Sequence, residues 1–281
     1  MKKVILSTIC PGTEDIQLAL YYLKAYFNKY STFTDSVEIE VIPFLPRQKP
    51  ADTAKKLTEK NPDILGFSCY VWNIIDTLKI CRYVKKAVPK VRIILGGPEV
   101  SPRATEILSN NRSVDVVVIG EGEETFKEVS EYFLFGRKSL ETIDGIVYRV
   151  AKKVIPNKKR AVIEDLDTIP SPYLQGLIDM NKYQSISTET HRGCLFRCHY
   201  CYYHKEFNQI RYFSLPRVER ELAFILKKNP IGVYFMDPTF NADKERAKEV
   251  LRTFIKYNKT TRLHLELRAE FLDEETVELL H

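Results

Sequence analysis

The sequence predicts an α/β protein whose first half forms a doubly wound parallel sheet and whose last third begins a second βα series. Two observations support this fold class. Short runs of aliphatic and β-branched residues alternate with amphipathic helical patterns from Lys3 to about Phe135, and the strand runs are almost continuously apolar. Such strands are typical of parallel sheets that helices cover on both faces. We therefore expect a Rossmann-like domain of the flavodoxin type.

Five strands and the helices between them account for this first domain, which is predicted to occupy residues 1–136. Each strand is short and bounded by turn residues, and each helical pattern carries an apolar stripe. The strands are predicted at residues 4–9, 37–42, 64–68, 91–95 and 114–119, with helices that include residues 16–27, 74–88 and 123–135.

The rest of the chain is predicted to contain a linker and a second domain. Residues 137–183 form the linker, because a short β-hairpin at 145–155 is followed by Pro170 and Pro172, which interrupt regular structure. Residues 184–281 form the second domain. Its predicted strands lie at residues 184–190, 232–236 and 263–267, its helices at 216–228 and 243–257, and a last helix starts near Asp273.

The composition is that of an ordinary globular protein, with 44% hydrophobic and 28% charged residues. The 43 basic and 37 acidic residues give a net charge of +6 that is spread along the chain, which argues against a nucleic-acid partner. No segment approaches the roughly 20 apolar residues that span a bilayer. The first residues, MKKVILSTICPG, are interpreted as a buried strand and not as a signal peptide. We expect a cytoplasmic protein.

Unusual loops follow four of the predicted strands at their carboxyl ends, where sheets of this type bind ligands. Paired glycines allow a tight turn or a close approach of the backbone to a ligand. Ordinary βα turns are the alternative interpretation of each loop. The first loop lacks the G-x-G-x-x-G pattern, which argues against a dinucleotide. The candidate binding residues are Cys10, Ser68, Tyr70, Gly96, Gly97, Pro98, Gly120, Glu121 and Gly122.

Three of the six cysteines lie within eight residues of one another, at Cys194, Cys198 and Cys201. The spacing C-x-x-x-C-x-x-C allows three thiolates to bind one metal centre from a single loop. A four-iron cluster normally takes four cysteines, so three would leave one iron open to a substrate or cofactor. Zinc is the alternative, with His199 or His204 completing a Cys3His site. A disulfide framework is not expected in a cytoplasmic chain.

The pattern C-x-x-x-C-x-aromatic-C after a strand resembles the signature of the radical S-adenosylmethionine (SAM) superfamily. The resemblance implies that the three cysteines hold a 4Fe–4S cluster and that SAM chelates the fourth iron. It also implies that one electron cleaves SAM to methionine and a 5′-deoxyadenosyl radical, with Tyr200 near the adenine. Residues 184–281 would then be the first part of a partial TIM-type barrel, which is expected to be truncated because a full barrel has eight strands and about 250 residues.

Other phrases resemble one subgroup of that superfamily, the members with an N-terminal cobalamin-binding domain. If the resemblance holds, the loop residues from Cys10 to Gly122 would bind cobalamin. Histidine occurs only at positions 191, 199, 204, 264 and 281, so the first domain offers none as a lower ligand of cobalt. The phrases are Leu95–Glu99, Gly120–Phe126, Leu166–Pro170 and Asp237–Asn241.

The sequence departs from the superfamily where Met236-Asp237-Pro238 stands in place of a Gly-Gly-Glu that grips the SAM amino group. Asp237 or Asn241 is expected to substitute for it, and the alternative for Asp237 is a turn or helix-cap role. Glu266 and Arg268 are further candidates to face SAM. Surface ion pairing is the alternative for these two residues.

The leading hypothesis is a cobalamin-dependent radical SAM enzyme that methylates an unactivated carbon. A flavodoxin or ferredoxin would donate the electron, and the substrate would be a small molecule or a peptide. A second hypothesis keeps the radical chemistry but replaces methylation with a rearrangement or an oxidation. A third treats the chain as a zinc-stabilised, non-catalytic binding module.

Overall fold

The computed structural model describes residues 1–12 and 16–281, apart from the side chains of His204 and Glu206. The described residues divide into two compact units. The first contains residues 1–12 and 19–163, and the second contains residues 16–18 and 164–281. Within the described ranges, no helix combines the length and the apolar character that a bilayer crossing requires.

The first unit is built on a seven-stranded sheet with the order β2-β1-β3-β4-β5-β6-β7. The first five strands pair in parallel, as the predicted doubly wound sheet requires. Its elements are β1 (Lys2–Ile9), α1 (Leu18–Tyr30), β2 (Val37–Phe44), α2 (Pro50–Thr58), β3 (Ile64–Ser68), α3 (Ile74–Ala87), β4 (Arg92–Gly96), α4 (Ala104–Asn110), β5 (Val116–Val118), α5 (Glu123–Phe135), β6 (Ile146–Val150) and β7 (Lys153–Pro156).

Alternate residues of the central strands pack into two cores on opposite faces of this sheet. Ile93 and Leu95 of β4 belong to one core with residues of α3, whereas Ile94 belongs to the other core with Phe126 and Val129 of α5. Complete burial of each such aliphatic side chain stabilises the fold by about 1.5–3 kcal/mol. The two cores explain why the strands read as continuous apolar runs in the sequence, and they confirm the predicted α/β class.

The hairpin that the sequence assigns to a linker extends the first sheet. Strand β6 pairs antiparallel with β5, with Val117 opposite Val147, and β7 pairs antiparallel with β6. The Asn157 side chain fixes the hairpin to the preceding segment, because its amide donates to the carbonyl oxygens of Leu140 and Ile143 at 2.5 and 2.8 Å. The sheet therefore ends in an antiparallel edge formed by residues beyond the predicted first domain.

The second unit contains a three-stranded parallel sheet with the order β12-β11-β8 and a separate short antiparallel pair, β9 and β10. Its longer helices begin at side-chain caps, since Ser214 accepts from the N–H of Arg217 and Asp243 accepts from that of Arg246. The elements are β8 (Ser185–Thr188), β9 (His191–Arg192), α6 (Tyr203–Glu206), β10 (Arg211–Tyr212), α7 (Leu215–Leu226), β11 (Gly232–Phe235), α8 (Lys244–Tyr257), β12 (Arg262–His264) and α9 (Glu274–Leu280).

Candidate functional site

The candidate binding loops of the first unit share the carboxyl edge of the parallel sheet. Ser68 ends β3 opposite Gly96, which ends β4. Cys10 follows β1 directly and is buried, and its N–H donates to the carbonyl oxygen of Phe44 at 2.9 Å. Gly120 follows β5, and its N–H donates to Ser101 Oγ at 3.3 Å. The topology therefore brings the four predicted loops to one edge, where a doubly wound sheet binds its ligand.

Asn73 joins the carboxyl ends of β1 and β3. The side chain is almost fully buried, and its amide nitrogen donates to Thr8 Oγ1 and to the carbonyl oxygens of Ile9 and Ser68 at 3.0, 3.2 and 3.3 Å. Its amide oxygen accepts from the N–H of Tyr70 at 2.8 Å. Sequence reasoning did not single out Asn73 as a site residue. Its position just before α3 was the available signal, because asparagine is favoured at helix starts.

Gly97 allows the loops after β3 and β4 to touch. Its φ is +104°, and a Cβ at this position would lie 2.7 Å from the carbonyl oxygen of Cys69 and 2.9 Å from its nitrogen. The close approach expected for this glycine is therefore made to the backbone of Cys69. Glu121, a second candidate, accepts a hydrogen bond of 2.7 Å from the N–H of Ile163. Gly97 and Glu121 therefore fix the backbone of two loops at the carboxyl edge of the sheet.

An apolar, aromatic surface lies in the loop after β3 and at the start of α3. The rings of Tyr70 and Trp72 stack with centroids 4.5 Å apart and planes 5° from parallel. Val71, Trp72 and Ile75 are 73%, 55% and 69% exposed, although they are large apolar side chains. Burial raises the pKa of Tyr70, which keeps its phenol neutral. Exposed apolar groups of this kind beside a ligand edge favour a ligand with a broad apolar face.

The three clustered cysteines lie on a loop of the second unit that begins after β9 and returns through α6 to β10. All three thiols are free and partly buried. Gly193 has a φ of +100°, and a Cβ there would lie 1.8 Å from the carbonyl oxygen of Gln209, so only glycine fits where the two arms of the loop meet. The N–H of Cys194 donates to the carbonyl oxygen of Phe207 at 3.0 Å. The backbone of the cysteine loop is therefore closed by contacts between its two arms.

The donor chemistry of the loop fits an iron–sulfur cluster. Leaving out the side chains of His204 and Glu206, no three His, Cys, Asp or Glu side chains of the described residues converge as ligands of a single metal ion. Each cysteine of a four-iron cluster binds a different iron, so its thiolates need not converge on one point. The metal-ligand assignment of Cys194, Cys198 and Cys201 stays a prediction.

Asp237, a predicted SAM residue, is fully buried two residues after β11. Its carboxylate accepts from the N–H and the hydroxyl of Thr190, both at 2.7 Å, and from the N–H of His191 at 3.1 Å. Burial raises its pKa to about 6 and lowers that of His191 to about 4. These contacts favour the alternative turn role, in which Asp237 holds the backbone that leads into the cysteine loop.

Asn241 is also buried and holds the backbone of Arg268. Its amide nitrogen donates to the carbonyl oxygen of Arg268 at 2.8 Å, and its amide oxygen accepts from the N–H of Arg268 at 2.9 Å. The Arg268 guanidinium lies over the ring of Phe196 on the cysteine loop, and its Nε donates to Glu270 at 2.7 Å. Phe196 was not predicted as a site residue, although its place between two cysteines was a signal.

The other two predicted SAM residues lie at the surface. Tyr200 is 92% exposed. Glu266 is largely exposed and accepts from the Tyr234 hydroxyl at 3.3 Å. The structure thus brings Asn241 and Arg268 to the cysteine loop. Among the described side-chain contacts, none links Tyr200 or Glu266 to this group. Their roles toward SAM stay predictions.

Comparison with known proteins identifies the domain to which the first part of the chain is similar. The family model of the B12 binding domain matches residues 6–130. The cobalamin-dependent radical SAM methyltransferase TokK of Streptomyces tokunonensis is 28% identical over 192 residues, which are 64% of this chain and 28% of TokK. The uncharacterised methyltransferase PH0819 of Pyrococcus horikoshii is 30% identical over 247 residues, which are 85% of this chain and 52% of that protein.

Two further relatives extend the comparison. An anaerobic magnesium-protoporphyrin IX monomethyl ester cyclase of Rubrivivax gelatinosus is 24% identical over 237 residues, which are 79% of this chain and 42% of the cyclase. The solved structure of OxsB, a cobalamin-dependent S-adenosylmethionine radical enzyme with aqua-cobalamin and S-adenosylmethionine bound, covers 99% of this chain with a TM-score of 0.79 at 20% identity. This chain covers 42% of OxsB, and that likeness shows the fold.

Fold and family match define the class: an α/β protein whose residues 6–130 form a B12-binding domain. Beyond that domain, the chain is similar to cobalamin-dependent radical SAM methyltransferases such as TokK, the subgroup that its motifs resemble. It spans from about a quarter to about half of the length of the curated relatives named above.

Proposed function

We propose that this chain carries the cofactor sites of a cobalamin-dependent radical SAM methyltransferase that methylates an unactivated carbon. One observation carries the proposal. A single chain combines the B12-binding domain with a C-x-x-x-C-x-x-C loop whose closure requires Gly193. The methyltransferases among its relatives support methyl transfer as the reaction.

The carboxyl edge of the first sheet would hold cobalamin. The loops that contain Gly97 and Gly120 would line this site with backbone. The stacked rings of Tyr70 and Trp72 would contact an apolar face of the macrocycle. Residues 1–163 contain no histidine, so a histidine of this domain would not coordinate the cobalt. When bound, cobalamin supplies a carrier for the methyl group.

The cysteine loop of the second unit would hold the cluster through Cys194, Cys198 and Cys201. When bound, the cluster supplies the single electron that cleaves SAM, and a flavodoxin or ferredoxin would provide that electron. The chain's own residues fix the loop. Gly193 permits its closure, and Asp237 holds the entering backbone through Thr190 and His191. Partial burial of the three thiols limits their contact with water.

A second candidate function is a radical SAM reaction without methyl transfer. The relative from Rubrivivax gelatinosus is named as a cyclase, although it matches 79% of this chain. The same cofactor sites would then serve a different reaction on a different substrate. The sequence and fold of the described units are compatible with both reactions, so the fate of the SAM methyl group must separate them.

The proposal is tested with anaerobically reconstituted protein, a chemical reductant, hydroxocobalamin and SAM labelled in its methyl group. We expect formation of 5′-deoxyadenosine and recovery of label in the cobalamin fraction. Cys198→Ala removes one cluster ligand and should abolish 5′-deoxyadenosine formation. Cys81→Ala is the control, because that thiol is buried in the first unit, in the core between the sheet and α3. Formation of 5′-deoxyadenosine with no label on cobalamin would favour the second candidate function. Absence of both products would contradict both.

A further inference from the structure

Arg268 brings a positive charge to the cysteine loop. It follows β12 in the second unit, and its guanidinium carbon lies 4.0 Å from the ring centroid of Phe196, which stands between Cys194 and Cys198. This distance is well inside the limit of about 6 Å for a cation–π contact. The loop that bears the cysteines therefore has a cation packed against it, on the ring that stands between two of them.

The position of this cation is set by several independent contacts. Asn241, which is almost fully buried, grips the backbone N–H and carbonyl of Arg268 at 2.9 and 2.8 Å. Glu270 accepts from the side-chain Nε at 2.7 Å. Phe196 itself packs near Phe271, with ring centroids 5.7 Å apart. Asn241 therefore fixes the backbone from which the Arg268 side chain extends to Phe196.

Given the cluster of the proposed function, we propose that Arg268 acts as a positioning residue that raises the cluster's reduction potential. Reduction adds one electron, and so one negative charge, to the cluster. A neighbouring cation stabilises that added charge more than it stabilises the oxidised form. The electron comes from an external donor such as a flavodoxin or ferredoxin, and Arg268 neither gains nor loses a proton.

Glu270 works against Arg268 in this arrangement. Its carboxylate is paired with the guanidinium and is more than half exposed, so water screens part of its charge. Removal of the arginine charge and removal of the glutamate charge should therefore shift the potential in opposite directions. Opposite shifts distinguish an electrostatic role from a general loosening of the loop. A loosened loop would shift the potential in the same direction in both variants.

The test is a redox titration of the full chain, reconstituted with iron and sulfide, in which the reduced cluster is followed by electron paramagnetic resonance without SAM. For Arg268→Gln we expect a more negative midpoint. At a fixed potential, the ratio of reduced to oxidised cluster should fall about tenfold, which equals about 59 mV for one electron. Arg268→Lys should give a smaller fall because it keeps the charge but loses the planar group that lies over Phe196, and Glu270→Gln should raise the midpoint.

If Arg268→Gln does not retain iron, Phe196→Leu carries the test, because it removes the ring on which the guanidinium rests and should also lower the midpoint. Equal midpoints in the wild type and in Arg268→Gln would overturn the role of Arg268, and so would equal midpoints in Phe196→Leu if that variant carries the test. The cluster itself would remain established. A shift that occurs only when SAM is added would overturn it too, since Arg268 would then act on SAM. A wild-type chain that binds no iron would overturn both this inference and the proposed cluster.

Discussion

Asp237 and Thr190 are joined by two hydrogen bonds of 2.7 Å, one from the backbone N–H of Thr190 and one from its hydroxyl. The carboxylate thereby connects the end of β11 to the turn between β8 and β9. A third bond reaches the N–H of His191, the first residue of β9. Because β9 leads directly into Gly193 and Cys194, the buried carboxylate sets where the cysteine loop begins.

Replacement of Asp237 should therefore destabilise the second unit. Asp237→Ala leaves three donors without their acceptor in a buried place, and each such loss costs about 1–3 kcal/mol. We expect a decrease of at least about 3 kcal/mol in the free energy of unfolding, measured by urea denaturation. Glu266→Gln, at an exposed carboxylate, is the control and should change it by less than about 0.5 kcal/mol. Similar effects of the two substitutions would show that the Asp237 contacts add little.

Two buried groups around this turn should oppose each other as pH changes. Asp237 has a pKa raised to about 6 from 3.8, so the folded form binds more protons than the unfolded form between these values, and stability falls as pH rises. His191 has a pKa lowered to about 4 from 6.5 by burial and by Arg246, so the folded form binds fewer protons and stability rises with pH. Between pH 4 and 6 the two contributions cancel in large part.

Asp237→Asn removes the falling contribution, and loss of the carboxylate 3.7 Å from His191 Nδ1 further disfavours the charged imidazole. The free energy of unfolding should then rise more steeply between pH 4 and 6 than it does in the wild type, by at most about 1.4 kcal/mol per pH unit. Urea titrations at several pH values measure this slope. His191→Gln removes the rising contribution and should change the slope in the opposite direction. Parallel pH profiles for all three proteins would contradict the assigned pKa shifts.

Gly193→Ala should open the cysteine loop. A Cβ at this position would meet the carbonyl oxygen of Gln209 at 1.8 Å, which the backbone must relieve by moving. We expect loss of most bound iron after reconstitution, together with a lower urea midpoint. Gly176→Ala is the matched control, because Gly176 in the same unit also has a positive φ, +67°, but has open space around its Cβ position. It should retain iron and lose only about 1–2 kcal/mol to backbone strain. Equal iron content in the two variants would refute a specific need for glycine at 193.

Trp72→Ala should weaken cobalamin binding without unfolding the first unit. The indole is 55% exposed and stacks on Tyr70 at the carboxyl edge of the sheet, so its removal takes away apolar contact area and little of the core. We expect about a tenfold higher Kd for hydroxocobalamin, equivalent to about 1.4 kcal/mol, measured by absorbance titration. Tyr83→Ala, at an exposed aromatic residue further along α3, should leave the Kd unchanged. An unchanged Kd in Trp72→Ala would place the macrocycle elsewhere.

The sequence was sufficient for the parts of the fold that depend on local pattern. The apolar strands and intervening helices predicted the parallel sheet, because Ile93, Ile94 and Leu95 must all be buried when both faces are covered. The pairing of β6 with β5 was not foreseen. A short alternating hairpin looks the same in sequence whether it stands alone or extends a sheet, and its partner strand lies far earlier in the chain.

The candidate sites show the same division. The cysteine spacing was visible as a motif, whereas the role of Asp237 depends on Thr190, 47 positions away, and that of Asn241 on Arg268, 27 positions away. Polar residues after a barrel-type strand were expected to face SAM. In the structure these two side chains instead satisfy buried backbone groups, because an unpaired donor or acceptor in the interior is costly.

The most direct test of the central claim is the content of iron, sulfide, zinc and cobalt in the chain after anaerobic reconstitution with hydroxocobalamin. Two cofactor sites in one chain predict about four irons and about one cobalt per molecule, with the iron lost in Cys198→Ala and the cobalt retained. Zinc in place of iron, or a chain that binds neither iron nor cobalt, would contradict the claim that these residues form the cofactor sites of a cobalamin-dependent radical SAM enzyme.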